Sequence, residues 1–282
     1  YAGVDGYCPL AAYLGSHGFC LELALRPGVQ HSARETDFNL ERVVPMAQRL
    51  SAAGPKAPIL ARLRATSAEE LIVCEDGSID GSDLEWSRLL TRPNDFLIRS
   101  NDLHEIRTYN RAVDFARGRI VCVMQDDDIP PPSGEWVTNA MALFDRFPQL
   151  AIVGCWRALT FDFHRKSGDP YDKVSASYVD PEVNVPFMFV QTVGIGPVFF
   201  RRQVFQALGG FDLSFSEPGE PGIVLDQDIC FRAWREGHHV GLMEASGFER
   251  RVGGPGTEMF GAAERIRNRQ ANLDHVRQRY AG

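Results

Sequence analysis

Short apolar runs of strand length alternate with segments of helical period through the first half of this chain. That alternation restricts the fold more than any other feature. Phe19-Cys-Leu-Glu-Leu-Ala-Leu25 alternates as a strand does, and Arg26-Pro27 halts it. Asp37 can cap a helix whose apolar positions are Leu40, Val43, Val44, Ala47 and Leu50. Glu70-Leu-Ile-Val-Cys74, Asp95-Phe-Leu-Ile98 and Ile120-Val-Cys-Val-Met124 are further strands. Between the last two, Ile106, Tyr109, Val113 and Ala116 fall at helical spacing, with Gly118 suited to the C-terminal cap. Strands alternating with helices at this spacing predict an α/β fold: a Rossmann-like, mostly parallel central sheet flanked by helices.

The second half is more mixed. Gln149 to Trp156 and Val193 to Phe200 read as strands, and Asp226 to Glu236 as a short helix ending at Gly237. Met259, Ala263, Ile266, Leu273, Val276 and Tyr280 form one face of a final helix. No repeat and no long linker divides the 282 residues, which predicts one domain over 1–282. With 44% hydrophobic and 24% charged residues, such a chain buries a full core without a metal or disulfide staple. Thirty basic against 37 acidic side chains give a net charge of −7, which argues against a nucleic-acid partner.

The longest uncharged stretch, Val183 to Phe200, holds Asn184, Pro186, Gln191 and Pro197 and reads as buried interior rather than a membrane span. No signal peptide is legible, and the first residue is Tyr1 rather than Met. A membrane anchor preceding it would fit a Golgi lumen; otherwise a cytoplasmic or membrane-associated placement is expected. Of the six cysteines, Cys74, Cys122 and Cys155 lie in strand-like runs and are expected to be buried free thiols. Cys8 and Cys20 could bridge in an oxidising compartment. No CxxC pair suggests zinc.

Ligands of open α/β sheets bind beyond the carboxyl ends of the strands. Two of the predicted strands end in acid there: Glu75-Asp76 and Asp126-Asp127-Asp128. Three consecutive carboxylates repel one another, and a hard divalent cation is the natural offset. The bland alternative is a solvated turn. The preceding apolar strand and the following Pro130-Pro-Pro132 favour a strand edge instead. Asp76-Gly-Ser-Ile-Asp-Gly81 invites an EF-hand reading, but the twelfth position is Ser87 rather than Glu, so calcium is not expected there.

Together these residues resemble the inverting glycosyltransferases of family 2, which have the A-type nucleotide-sugar-binding fold. The resemblance runs from about Phe19 to about Thr257. Leu71-Ile-Val-Cys-Glu-Asp-Gly-Ser-Ile-Asp-Gly-Ser82 looks like the family's strand and "DDGSxDGS" turn. Asn101 to Asn110 with Ala116-Arg-Gly118 looks like its "N…RN…A.G" helix, and Met124-Gln-Asp-Asp-Asp-Ile-Pro130 like its "DXD" motif. Gly209-Gly-Phe-Asp212 followed by Leu225-Asp-Gln-Asp228 looks like its acceptor-side motif.

The resemblance implies a nucleotide-sugar-binding half over 19–130, an acceptor-binding half over 131–257 and a C-terminal helix over 258–282. It implies a nucleoside-diphosphate sugar donor, such as a UDP-sugar, and a glycan or glycoconjugate acceptor. Arg26, Pro27, Glu75, Asp76, Ser78, Arg107 and Asp126 would bind the donor. Within that set Asp76 reads the base, Asp126 lies near the ribose, and Arg107 is either a diphosphate contact or a surface charge. Asp127 and Asp128 would hold Mn2+ or Mg2+. Asp226 would be the general base, the alternative being a helix N-cap, and Asp228 a partner of the helix dipole.

The sequence departs from the family in four places. The first strand ends in Leu25-Arg-Pro27. Gln125 stands where many members have an acid, and Leu225 replaces the acid before the base. No His follows the acceptor region where many members use one for the metal; Phe248-Glu-Arg-Arg251 stands there instead, and Glu249 is a substitute donor. Gly253-Gly-Pro-Gly256 suggests a lid hinge over the donor. Two other readings compete: a nucleotidyltransferase, for which residues 19–35 lack the Gly-rich phosphate loop, and a non-catalytic binding module on the same fold.

Overall fold

A computed structural model describes residues 7–14, 19–27, 70–78, 81–101, 103–126, 128–155, 157–161, 176, 178–216, 220, 222–250 and 262–280. The chain divides into two compact units, 1–57 and 58–282. In the first unit β1 (Tyr7–Leu14) pairs antiparallel with β2 (Phe19–Pro27). The strand expected at Phe19 is therefore present, and its partner comes from the stretch before it. The register sets Cys8 opposite Arg26 and Cys20 opposite Tyr13. At about 3.4 Å per residue the two cysteines lie on the order of 17 Å apart along the ladder, beyond disulfide reach. The helix expected from Asp37 lies outside the described residues.

The second unit opens with β3 (Leu71–Glu75), α1 (Ser82–Leu89) and β4 (Asp95–Arg99), the two strands pairing parallel. Next come α2 (His104–Phe115), β5 (Ile120–Val123), the short β6 (Asp128–Ile129), α3 (Glu135–Arg146) and β7 (Leu150–Gly154). Short strands β8 (Ala158–Leu159) and β9 (Val179–Asp180) precede β10 (Val185–Phe189), β11 (Thr192–Val193) and β12 (Val198–Arg201). The chain then runs through α4 (Arg202–Ala207), a 3-10 turn at Leu213–Phe215, α5 (Leu225–Arg235), β13 (His239–Met243), β14 (Glu249–Arg250) and α6 (Ala262–Tyr280). No helix among the described residues is long and apolar enough to cross a membrane.

The α/β class is as expected, but the strand directions are not. Six strands form the central sheet in the order β5-β12-β7-β13-β10-β9, and only β7 and β13 pair parallel. The other neighbours are antiparallel. The expectation of a mostly parallel sheet is thus corrected to a mixed, mostly antiparallel one. The physical reason lies in β12. Strands β5 and β7, joined across α3, run the same way as a crossover unit requires. A later strand of opposite direction fills the slot between them, pairing with both. The run read as one strand from Val193 to Phe200 is broken into β11 and β12 by Gly194-Ile-Gly-Pro197, a bend that two glycines and a proline favour.

Helices cover both faces. From α3, Trp136, Ala140, Leu143 and Phe144 pack on Val153, Phe187, Phe199 and Met243. On the other face Ile106 and Val113 of α2 and Ile229 and Ala233 of α5 pack on Val198, Phe200 and Val240. Phe199 and Phe200 therefore point to opposite faces, the two-residue period of a strand buried on both sides. Each such side chain contributes roughly 1.5–3 kcal/mol by burial. The uncharged stretch from Val183 to Phe200 is interior only in part: Val185, Phe187, Val190, Thr192, Val193 and Val198 to Phe200 are buried, but Asn184 and Phe189 are exposed. Leu273, Val276 and Tyr280 of α6 meet the same cluster; Met259 lies outside the described residues, as do the side chains of Ala263 and Ile266. Cys155 is buried and Cys74 partly so, but Cys122 is exposed. The last departs from the expectation of a buried thiol.

Candidate active site

The end of β3 turns on its own acid. Glu75 is buried, and its carboxylate accepts the backbone N–H of Gly77 (3.3 Å) and of Ser78 (2.8 Å). Ser78 itself is exposed. Asp76 reaches a different element. Its two oxygens accept the N–H groups of Leu103 (2.9 Å) and His104 (2.6 Å) at the start of α2. The residue preceding α2 is Leu103, which has no side-chain acceptor, so Asp76 supplies the cap from 27 residues upstream. A carboxylate suits that position because the first N–H groups of a helix lack internal partners.

In the turn from β5 to β6, Asp128 is almost fully buried and its Oδ2 accepts the N–H of Gln125 at 2.8 Å. Gly196 packs against that carboxylate: a Cβ there would stand 2.3 Å from Oδ2, and the backbone φ of +82° also favours glycine. Asp128 thus builds the turn. Asp126 is exposed on it, and Asp127 lies outside the described residues. Tyr109 lies beneath this turn. Its phenol is pushed well above its ordinary range, first by burial and then by Glu105, Asp128 and Asp126, against a hydrogen bond with Gln125.

The third element is α5. Its N-cap position is Val224, in the left-handed conformation at φ 76°, so Asp226 is a first-turn residue rather than the cap. Asp226 is half-buried, and its Oδ1 accepts the N–H of Gln227 at 2.9 Å. Asp228 is more than a dipole partner. Fully buried, it accepts Arg232 Nε (2.7 Å), Arg279 Nη1 (2.9 Å) and the Tyr280 hydroxyl (2.8 Å). Arg279 also donates to Asp212 at 2.7 Å. Burial works against ionisation of Asp212, but the N–H and hydroxyl of Ser214 and the charge of Arg279 outweigh it and hold its pKa at about 2.

The first two turns of α2 gather these pieces from different sides of the helix. Glu105 accepts Gln125 Nε2 (2.9 Å) from the β5 turn and Gly222 N–H (3.0 Å) from the loop entering α5. Arg107 donates to the Ser216 carbonyl at 2.8 Å. Asn110 makes two bonds to Phe211, donating to its carbonyl and accepting its N–H, each at 2.8 Å. The Gly209-Gly-Phe-Asp212 segment is therefore held against α2, and Asp76, the β5 turn and the entry to Asp226 meet around that helix's first turn. The sequence reading did not single out Glu105; its place between two motifs shows only once both elements are folded. Arg26 and Pro27 end β2 in the first unit, and their side chains lie outside the described residues.

Carboxylate oxygens are the donors a hard divalent cation takes. Asp126 presents one such group at the strand end, which fits a single ligand position. Among the described residues no group of three or more His, Cys, Asp or Glu side chains could hold a metal ion. The expected hinge at Gly253 lies outside the described residues, as does the side chain of Glu249.

A family model described as glycosyl transferase family 2 matches residues 58–208, more than half of the chain. The chain belongs to glycosyl transferase family 2. No curated protein sequence matches it. Among solved structures it is similar to the mannosyltransferase PcManGT from Pyrobaculum calidifontis in complex with GDP-Man and Mn2+, at 17% identity and TM-score 0.47 over 68% of this chain and 54% of that one. It is similar to GalNAc-T7 with UDP, GalNAc and Mn2+, at 13% identity and TM-score 0.47, over 62% of this chain and 36% of that chain. It is also similar to S. aureus TarS in complex with UDP, at 15% identity and TM-score 0.46, over 68% and 54%. The chain spans about half the length of these structures, or less.

Proposed function

We propose that the chain transfers a sugar from a nucleoside-diphosphate sugar, such as a UDP-sugar, to a hydroxyl of a glycan or glycoconjugate, with inversion at the anomeric carbon. The observation that carries this reading is the convergence on the first turn of α2: Asp76 caps it, and Glu105 ties it to the β5 turn and to the loop entering α5. Family membership supports it.

In this reading Asp226 takes the proton of the acceptor hydroxyl as that oxygen attacks from the face opposite the leaving diphosphate. Its bond to Gln227 N–H fixes the carboxylate at the helix start. Glu75, Ser78 and Asp76 form the turn that faces the nucleotide, with Asp126 toward the ribose and Arg26, Pro27 and Arg107 as further donor contacts. Asp127, assisted by Asp126, would hold Mn2+ or Mg2+, while Asp128 shapes the turn. When bound, that ion supplies positive charge for the departing diphosphate.

The test is a panel of UDP- and GDP-sugars incubated with the protein, with and without Mn2+ and glycan acceptors. Release of nucleoside diphosphate with a new glycosidic bond is the expected result. Pyrophosphate release would indicate a nucleotidyltransferase instead, and no turnover of any donor would favour a binding module.

A further inference from the structure

Resting on the transferase reading above, we propose that Glu105 is a positioning residue that sets the donor-side turn and the general-base helix relative to each other. It belongs to neither. It sits in the first turn of α2, and its two carboxylate oxygens are divided between the two sides. Oε1 accepts Gln125 Nε2 at 2.9 Å, and Oε2 accepts the Gly222 N–H at 3.0 Å. Gln125 adjoins Asp126, and Gly222 lies four residues before Asp226. One carboxylate therefore spans two segments 97 residues apart in sequence, each next to a residue assigned to the reaction.

The close packing of the Gly222 loop supports this role. A Cβ on Gly222 would stand 2.5 Å from Ile106 Cγ1 and 2.5 Å from Leu225 Cδ2, so the backbone lies directly on α2 and on the first residue of α5. Tyr109, one turn along α2, interacts with Glu105 and Gln125 from the same side. A displacement of either segment would stretch a charge-assisted hydrogen bond, the stronger kind. Small misplacements of reacting groups cost large factors in rate, so the bridge should act on turnover more than on folding.

The test exploits hydrogen-bond chemistry. Glu105→Gln replaces one acceptor oxygen by an NH2 group, which then faces a donor on one of the two sides. With the full chain, E105Q should stay folded and lower kcat by roughly tenfold to a hundredfold, the range for losing a hydrogen bond to a charged group. The reciprocal pair E105Q/Q125E restores a donor facing an acceptor on one side and keeps an oxygen for Gly222 on the other. It should recover most of the lost kcat, which a merely bulky structural role would not do. Hydrogen exchange of the Gly222 amide, slow in the parent and faster in E105A, reads the bridge without any substrate. If the parent transfers sugar but E105Q does so within threefold, or the pair is no better than E105Q, the positioning role is wrong. Equal Gly222 exchange in parent and E105A would also overturn it, whatever the activity. A parent inactive on every donor while E105A still releases Gly222 would instead overturn the transferase reading and leave Glu105 a structural bridge.

Discussion

The Asp228 carboxylate accepts from Arg232 on its own helix and from Arg279 and Tyr280 on α6, so a change of one of its atoms tests that junction. Its carboxylate is 1% exposed, while the Arg232 and Arg279 side chains that face it are 19% and 31% exposed. Asp228→Asn preserves shape, but the amide offers one acceptor oxygen to three donors and turns N–H groups toward a guanidinium. Breaking a buried pair by removing one partner costs about 3–5 kcal/mol. Arg279 can swing partly into water, so the low end applies, about 3 kcal/mol. That is a large share of the roughly 5–15 kcal/mol that holds a typical domain together. Urea unfolding followed by circular dichroism would read it as a shift in midpoint at constant slope. Arg279→Ala alone should cost less, about 1 kcal/mol, because that arginine is partly hydrated already. The two changes should be strongly non-additive, since they share one bond. A loss below about 1 kcal/mol for D228N, or simple additivity with R279A, would refute the view that this carboxylate anchors α6 to α5.

Asp127→Ala should abolish Mn2+-dependent binding of UDP, measured by calorimetry; unchanged binding would remove Asp127 from the metal assignment. Asp212 has a folded-state pKa held at about 2, below its ordinary value of 3.8. A depressed carboxylate stabilises the fold above its unfolded pKa and loses that contribution as pH falls from about 4 through about 2. Its partner Arg279 is partly exposed, so the contribution is about 1–2 kcal/mol after allowance for solvent screening. Stability measured between pH 5 and pH 2 should therefore fall less steeply in Asp212→Asn than in the parent, and equal slopes would contradict the assignment.

The first half of the second unit was legible because its information is local. Val113 and Ile106 mark one face of α2 by spacing alone, and Leu71–Glu75 is a strand by composition. Strand direction is not a local property. Nothing in Val198–Arg201 says that it will enter between β5 and β7, because its neighbours are decided by pairing across the sheet. The acidic strand ends were also legible, but not which carboxylates the fold itself uses. Asp76 is committed to amides 27 residues away, and Asp228 to an arginine 51 residues away. By contrast the bond from Arg232 to Asp228 follows the helical four-residue spacing and could have been read directly.

The central claim is that Asp226 is the base of an inverting glycosyl transfer, and one measurement addresses it most directly. On the donor that the parent protein turns over, single-turnover transfer is compared for the parent and Asp226→Asn, with the anomeric configuration of the product determined by NMR. The substitution keeps the size and the acceptor for Gln227 N–H but removes the proton-accepting oxygen. The expected outcome is a folded variant that still binds UDP with Mn2+ and transfers sugar at least about a hundredfold more slowly, with a parent product of inverted configuration. Transfer by D226N at close to the parent rate, or a product that retains the donor configuration, would contradict it.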